Sequence, residues 1–258
     1  MPPENAIAMA KNHKGCGPIG KLAPRPVELL VCFAVKEEAR FCMDRMVYRL
    51  WPRYQLYTRD AAWEDPRRPL YQVWITGMGR RNAVEGIRNA IALVQPKRVI
   101  TSGFAGGLNP KLKFGTIVYE EDFDAGFGPQ LDQAGAVRAV FHCHRRVAIT
   151  AAEKTALWRS TGADAVEMES SVIRNICLER KIPSATIRVI SDDASQDLPL
   201  DFNALMTPED RIHYPKLIWA VLSRPGRIGR LMAFQQQTME ASRRLGAALA
   251  ELLGAKRA

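Results

Sequence analysis

The feature that most constrains this chain is a recurring unit: a short, continuous apolar run, a glycine-rich or acidic turn, then a helix-patterned segment. Val27–Val35 (VELLVCFAV), Leu70–Thr76 (LYQVWIT), Arg98–Ser102, Phe114–Glu120 and Ala185–Ile190 (ATIRVI) are the runs. Continuous rather than alternating apolar residues mark strands buried on both faces. Helical patterns follow over Lys36–Leu50, Asn82–Val94, Ala151–Ser160, Val166–Arg180 and about 212–254, the last broken at Pro225-Gly226. Tyr54–Thr58 has weaker strand character, and residues 121–150 read as loops with one strand around Val137–His142. Strands alternating with helices predict an α/β fold, a single three-layer domain with a mostly parallel mixed sheet and helices on both faces. The expected organisation is a leader over residues 1–26, without the apolar stretch of a signal peptide. One domain follows over 27–258.

Composition excludes several classes. With 258 residues and 47% hydrophobic content the chain supports one sizeable core, and no apolar run reaches the ~20 residues of a membrane span. The five cysteines (Cys16, Cys32, Cys42, Cys143, Cys177) lack CxxC spacing, so neither a disulfide framework nor a zinc site is expected. His142-Cys143-His144 invites a metal reading, but adjacent residues point apart and no partner cluster exists, so no metal is expected. The cytoplasm is the expected compartment. The net charge of +10 is spread along the chain without aromatic interleaving, which reads as a solvated basic surface and not as a nucleic-acid site. Pro215–Phe234 mixes apolar with basic residues, the profile of an interfacial helix. The reading set against peripheral membrane contact there is a helix packed on the domain or on a partner subunit.

Ligands of open α/β sheets bind beyond the carboxyl ends of the strands. Four strand-to-helix turns therefore draw the search: Lys36-Glu37-Glu38, Gly77-Met78-Gly79, Gly103 to Gly107, and Ser191-Asp192-Asp193. Each alone is ordinary; an acidic pair often starts a helix and SDD often caps one. Together they place glycine backbone and two carboxylates on one sheet edge. Glu167-Met168-Glu169 is expected just inside a helix, where residues two apart face different directions.

In LLVCFAVKEEA (29–39), ITGMGRRNA (75–83), SGFAGGLNPKLKFGTIV (102–118), AVEMESSVI (165–173) and IRVISDDA (187–194) the chain resembles the nucleoside phosphorylase superfamily. Within it the likeness is greatest to the methylthioadenosine/S-adenosylhomocysteine nucleosidases. A looser likeness, in TAAEKTALWRSTGADAVEMES (150–170) and the tail from LPLDFNALM, is to hopanoid-associated phosphorylases, which act on an adenosyl group attached to a triterpenoid. The resemblance implies cleavage of the N-glycosidic bond of an adenine nucleoside. It implies Glu38 as the residue that deprotonates attacking water and Asp192 as the one that shares a proton with purine N7. Glu169 would grip the ribose hydroxyls, Met168 would pack on the sugar, and backbone near Val189 and Ser191 would read the base. Gly79, Phe104, Ala105 and Gly106 would line the substrate. Phe104 departs from the family's pattern by replacing a serine, and the stretch between Val118 and Thr150 is short. Arg40 and Arg80 are candidates for an anionic co-substrate. The resemblance further implies a homo-oligomer, a dimer first, with a small-molecule nucleoside as partner and no cofactor, inorganic phosphate being the alternative co-substrate. Two rivals stand beside it, a nucleoside-binding protein without catalysis and, on charge alone, a nucleic-acid-binding module.

Overall fold

The computed structural model describes residues 27–44, 48–51, 56–59, 71–122, 124–207 and 228–253. The expected leader and most of Pro215–Phe234 lie outside the described residues. In chain order the elements are β1 (Leu29–Phe33), α1 (Lys36–Asp44), β2 (Tyr48–Trp51), β3 (Leu56–Arg59), β4 (Tyr71–Ile75), α2 (Gly79–Val94), β5 (Arg98–Gly107) and β6 (Ile117–Glu121). They continue with α3 (Gly128–Gln133), β7 (Val137–Arg138), β8 (Phe141–Cys143), α4 (Ala151–Thr161), β9 (Ala165–Glu167), α5 (Ser170–Glu179), β10 (Ser184–Asp192), α6 (Phe202–Leu205) and α7 (Ile228–Leu252).

The strands form one sheet in the order β2-β3-β4-β1-β5-β10-β6-β7, with β9 paired to the far end of β5 and β8 to β9. The centre, β4-β1-β5-β10, is parallel, as continuous apolar strands joined by helical crossovers require. Toward the flanks β2 to β3, β3 to β4, and β6 to β10 are antiparallel, while β7 pairs parallel with β6. The fold is thus the three-layer mixed sheet that the sequence pattern predicts.

Strand period explains the layers. Leu29, Val31 and Phe33 of β1 point to one face and pack with Ala39 and Cys42 of α1 and Ala241, Leu245 and Leu249 of α7. Leu30 and Cys32 point to the other face and meet Ala83, Ile87 and Ala90 of α2 and Val172, Ile173 and Ile176 of α5. α7 also grips the start of α1, where the Ser242 hydroxyl donates to Glu37 O (2.9 Å), with Glu38 O as its alternative partner (3.2 Å). The C-terminal helix therefore fixes the turn that carries Glu38.

Three boundaries differ from the sequence reading. The helix expected over Lys36–Leu50 stops at Asp44, and Tyr48 starts a strand. Gly103–Gly107 is not a turn; β5 runs through it because β10 on one side and β9 on the other continue to pair with it. The helix expected from Val166 begins only at Ser170. Glu167 caps that helix from outside, its Oε2 accepting from Glu169 N (2.9 Å) and Ser170 N (2.7 Å), so Ala165–Glu167 is left free to pair as β9.

Candidate active site

Glu38 sits in the first turn of α1, yet it is buried while its neighbour Glu37 is exposed. Its Oε2 reaches back to the main-chain N–H groups of Ala34 (3.1 Å) and Val35 (3.3 Å). A third-position glutamate returning to the residue before the helix is half of a capping box. The other oxygen, Oε1, turns across the sheet edge and accepts from Phe104 N at 2.9 Å. Helix capping and presentation to the strand end are thus served by one side chain. Burial raises the Glu38 pKa, opposed by the Arg188 charge and by the three amide donors.

What lets Glu38 reach that position is Gly103. At φ +146° it holds a conformation that side-chain-bearing residues rarely adopt, and a Cβ there would lie 2.5 Å from Glu38 Oε1 and 2.6 Å from Arg188 Nη1. The space over Gly103 is bordered by the Glu38 carboxylate on one side and the Arg188 guanidinium on the other.

Arg188 organises the rest. It is 1% exposed in the middle of β10. Its Nη2 donates to Glu167 Oε2 at 2.7 Å and lies 3.8 Å from Glu169 Oε2, with Thr101 Oγ1 at 3.3 Å. Its Nη1 points to Phe104 O (3.5 Å), and its Nε finds no partner among the described residues. Glu167 is saturated: besides Arg188 and the two amides it accepts from Ser170 Oγ at 2.7 Å. Glu169 is less so. Its Oε1 accepts from Gly79 N, at the start of α2, at 2.7 Å. Burial pushes the Glu169 pKa up to about 7, with Glu167 and Glu38 adding to the rise and Arg188 and the Gly79 amide opposing it. Glu167 and Glu169, expected to point apart on a helix, both turn inward because they lie on a strand and its exit.

Asp192 ends β10 on the other side of β5. The Ser191 hydroxyl donates to its Oδ1 at 2.6 Å, with Ala105 O an alternative partner at 3.3 Å. Its Oδ2 forms an ion pair with Lys154 Nζ at 2.5 Å and lies 3.2 Å from where a Gly106 Cβ would be. Glu38 is thus held at Gly103-Phe104 and Asp192 at Gly106, two to three strand residues apart. At ~3.3 Å per residue that separation is roughly 7–10 Å, enough to seat a sugar and its leaving group between them.

The remaining candidates fall around this edge. Met168, Phe104 and Gly106 are half-buried, while Gly79, Ala105 and Ser191 are buried. Val189 lies deeper, paired with Phe104 on one side and Ile117 on the other. Arg40 and Arg80 are exposed, and Arg40 lies over the Phe41 ring. His142 Nε2 is 3.3 Å from His144 Nδ1, with Cys143 paired opposite Glu167; among the described residues no three histidine, cysteine or acidic side chains group as metal ligands do. No helix among them is long and apolar enough to cross a membrane.

Sequence reasoning passed over Arg188, Glu167 and Lys154 as site residues. An arginine inside an otherwise apolar strand run was the readable signal, because such a charge is buried only with partners. Lys154 gave none, since a lysine on a short polar helix reads as surface.

A model of the phosphorylase superfamily matches residues 126–222. A 5′-methylthioadenosine/S-adenosylhomocysteine nucleosidase of Glaesserella parasuis serovar 5 (strain SH0165) is 27% identical over 164 residues, 51% of this chain and 71% of that protein. Among solved structures, a Helicobacter pylori 5′-methylthioadenosine/S-adenosyl homocysteine nucleosidase superposes with a TM-score of 0.64 at 15% identity, covering 89% of this chain and 99% of that one. The native futalosine hydrolase of Helicobacter pylori strain 26695 gives 0.63 at 14% identity, covering 88% and 98%. At these identities the structural likeness is one of fold. The family model, the related sequence and the shared fold thus agree in likening this chain to the phosphorylase superfamily.

Proposed function

We propose that this protein hydrolyses the N-glycosidic bond of a 5′-substituted adenine nucleoside, with water as the nucleophile. The observation that carries the choice of water is the use made of the backbone donors. Gly79 N and Phe104 N, two amides at this edge that could otherwise donate to an anion, are held by Glu169 and Glu38. Three buried carboxylates surround the single guanidinium of Arg188. A phosphate dianion ~5 Å from one ionised carboxylate is opposed by roughly 6–7 kcal/mol at an effective dielectric constant of 20, and Arg188 offsets only one such term. Water carries no such penalty.

In this scheme Glu38 takes the proton of a water aimed at C1′, and its raised pKa suits it to that task. Glu169, once ionised, accepts from the ribose hydroxyls, and Met168 packs on the sugar. Positive charge building on the ribose is balanced by the carboxylates, and negative charge on the base by a proton delivered to N7 through Asp192. Ser191 holds Asp192 in place, and Val189 and Ala105 form the floor of the base side. The half-buried Phe104 ring packs against the core at this edge. The scheme needs no metal or organic cofactor. A homodimer belongs to the same proposal and rests on the family resemblance.

Product identity tests the reading. With inorganic phosphate present, 5′-methylthioadenosine should give adenine and free methylthioribose. Formation of the sugar 1-phosphate, or adenine release only when phosphate is added, would overturn hydrolysis and favour the phosphorylase alternative.

A further inference from the structure

Helix α4 (Ala151–Thr161) buries a single residue, and that residue is a lysine. Lys154 has no exposed surface. An ammonium has three protons to donate, and Lys154 Nζ faces three acceptors: Asp192 Oδ2 at 2.5 Å, Asp193 O at 2.9 Å and Gln196 O at 2.7 Å. The helix is fixed around it. Thr150 and Glu153 form a capping box at its start, and Ala151 N donates to Asp197 Oδ1 at 2.8 Å. The loop after β10 is thereby tied to the first turn of α4, at Ala151 and at Lys154. The Asp192 carboxylate, meanwhile, faces donors at both oxygens, the Lys154 ammonium and the Ser191 hydroxyl. A fully buried cation aimed at the carboxylate on the base side of the site is chemistry that the hydrolysis scheme has not yet used.

We infer that Lys154 is a positioning residue that stabilises the carboxylate left on Asp192 when the departing base takes up its proton, so that this chain is built to expel a poor, nitrogen-linked leaving group. The inference rests on the hydrolysis reading for its chemistry. The C1′–N9 electron pair moves into the purine. The Asp192 proton, acquired from solvent as the base binds, passes to N7. Water gives its oxygen to C1′ and its proton to Glu38, which returns it to solvent. Lys154 keeps its own protons throughout and works by its charge. The state it favours is a carboxylate opposite an N7–H group.

Two readouts separate this role from mere support of the fold. The first compares leaving groups in Lys154→Gln, which keeps a donor for the loop carbonyls but removes the charge, and in Lys154→Arg, which keeps the charge. For 5′-methylthioadenosine, kcat of Lys154→Gln should fall ~10²-fold, within the usual range of a general-acid contribution, with KM little changed. For the corresponding 4-nitrophenyl methylthioriboside, whose leaving group departs without a proton, kcat should stay within roughly 3-fold of wild type. Lys154→Arg should recover most of the loss. Equal losses on both substrates, or no loss on the nucleoside, overturn the inference.

The second readout needs no turnover, so it stands even if the wild type cleaves no nucleoside and the hydrolysis reading fails. 9-Deazaadenine presents an N7–H donor, whereas 7-deazaadenine has carbon there. Wild-type protein should bind 9-deazaadenine about tenfold or more tightly than 7-deazaadenine, as expected for a charged acceptor meeting a donor. In Lys154→Gln that preference should shrink to within a few-fold. A wild type without the preference overturns the inference whether or not the variant folds, and so does a folded variant that retains it.

Discussion

Replacing Arg188 by methionine tests the electrostatic centre of the site, and its size follows from the geometry. The guanidinium is 2.7 Å from Glu167 Oε2 and 3.8 Å from Glu169 Oε2, all three groups being buried. Removing one partner of a buried pair leaves an uncompensated charge and costs about 3–5 kcal/mol. For a domain of this length each kcal/mol lowers Tm by roughly 2–4 °C, so Arg188→Met should melt ~6–20 °C below wild type near pH 8. The penalty should shrink on acidification. Glu38 and Glu169 already have raised pKa values, the latter about 7, and the Arg188 charge is the largest influence holding both down. Without it their folded-state values rise further above the unfolded ones. Carboxylates shifted that way favour the fold at low pH, where they are protonated, and the contribution is lost as pH rises through the folded pKa. Thermal melts of both proteins at about pH 5 and pH 8 measure the difference. A Tm within ~2 °C of wild type at the higher pH, or the same deficit at both, would refute the reasoning.

Two further outcomes follow from the same geometry. Gly103→Ala forces a Cβ against Glu38 Oε1 and Arg188 Nη1 at a φ of +146°; it should cost ~1–3 kcal/mol in strain, lower kcat ~10²-fold by displacing Glu38, and fail as a prediction if kcat is unchanged. The pH profile of kcat/KM should rise through about 7 as Glu169 loses its proton and can accept from the ribose hydroxyls, Glu38 titrating as its coupled partner. A profile flat across that value contradicts the assignment.

How much of this was legible in the sequence depends on range. β1, β4 and β10 announced themselves as unbroken apolar runs because both faces of each are covered, and α2 did so by its period. Glu38 and Asp192 stood out because each follows such a run. Residues 121–150 were opaque for a physical reason. β7 is two exposed residues and β8 only three, and what holds them is pairing with β6 and β9 and not local pattern; α3 has six, its start held by the Glu121 carboxylate. The start of α5 was misplaced because a helix pattern cannot show that Glu167 folds forward to cap it. Lys154 was invisible for a related reason: its partners, Asp192 and the carbonyls of Asp193 and Gln196, lie some forty residues away. A contact of that range writes nothing into its own neighbourhood.

The central claim is that Glu38 activates water against an adenine nucleoside, and the most direct measurement is adenine release from 5′-methylthioadenosine in phosphate-free buffer by wild type and Glu38→Gln. The account predicts steady release by the wild type and a rate ~10²–10⁴-fold lower for the variant, the usual contribution of a general base. Equal rates for the two proteins, or a wild type that stays silent until phosphate is added, would contradict it.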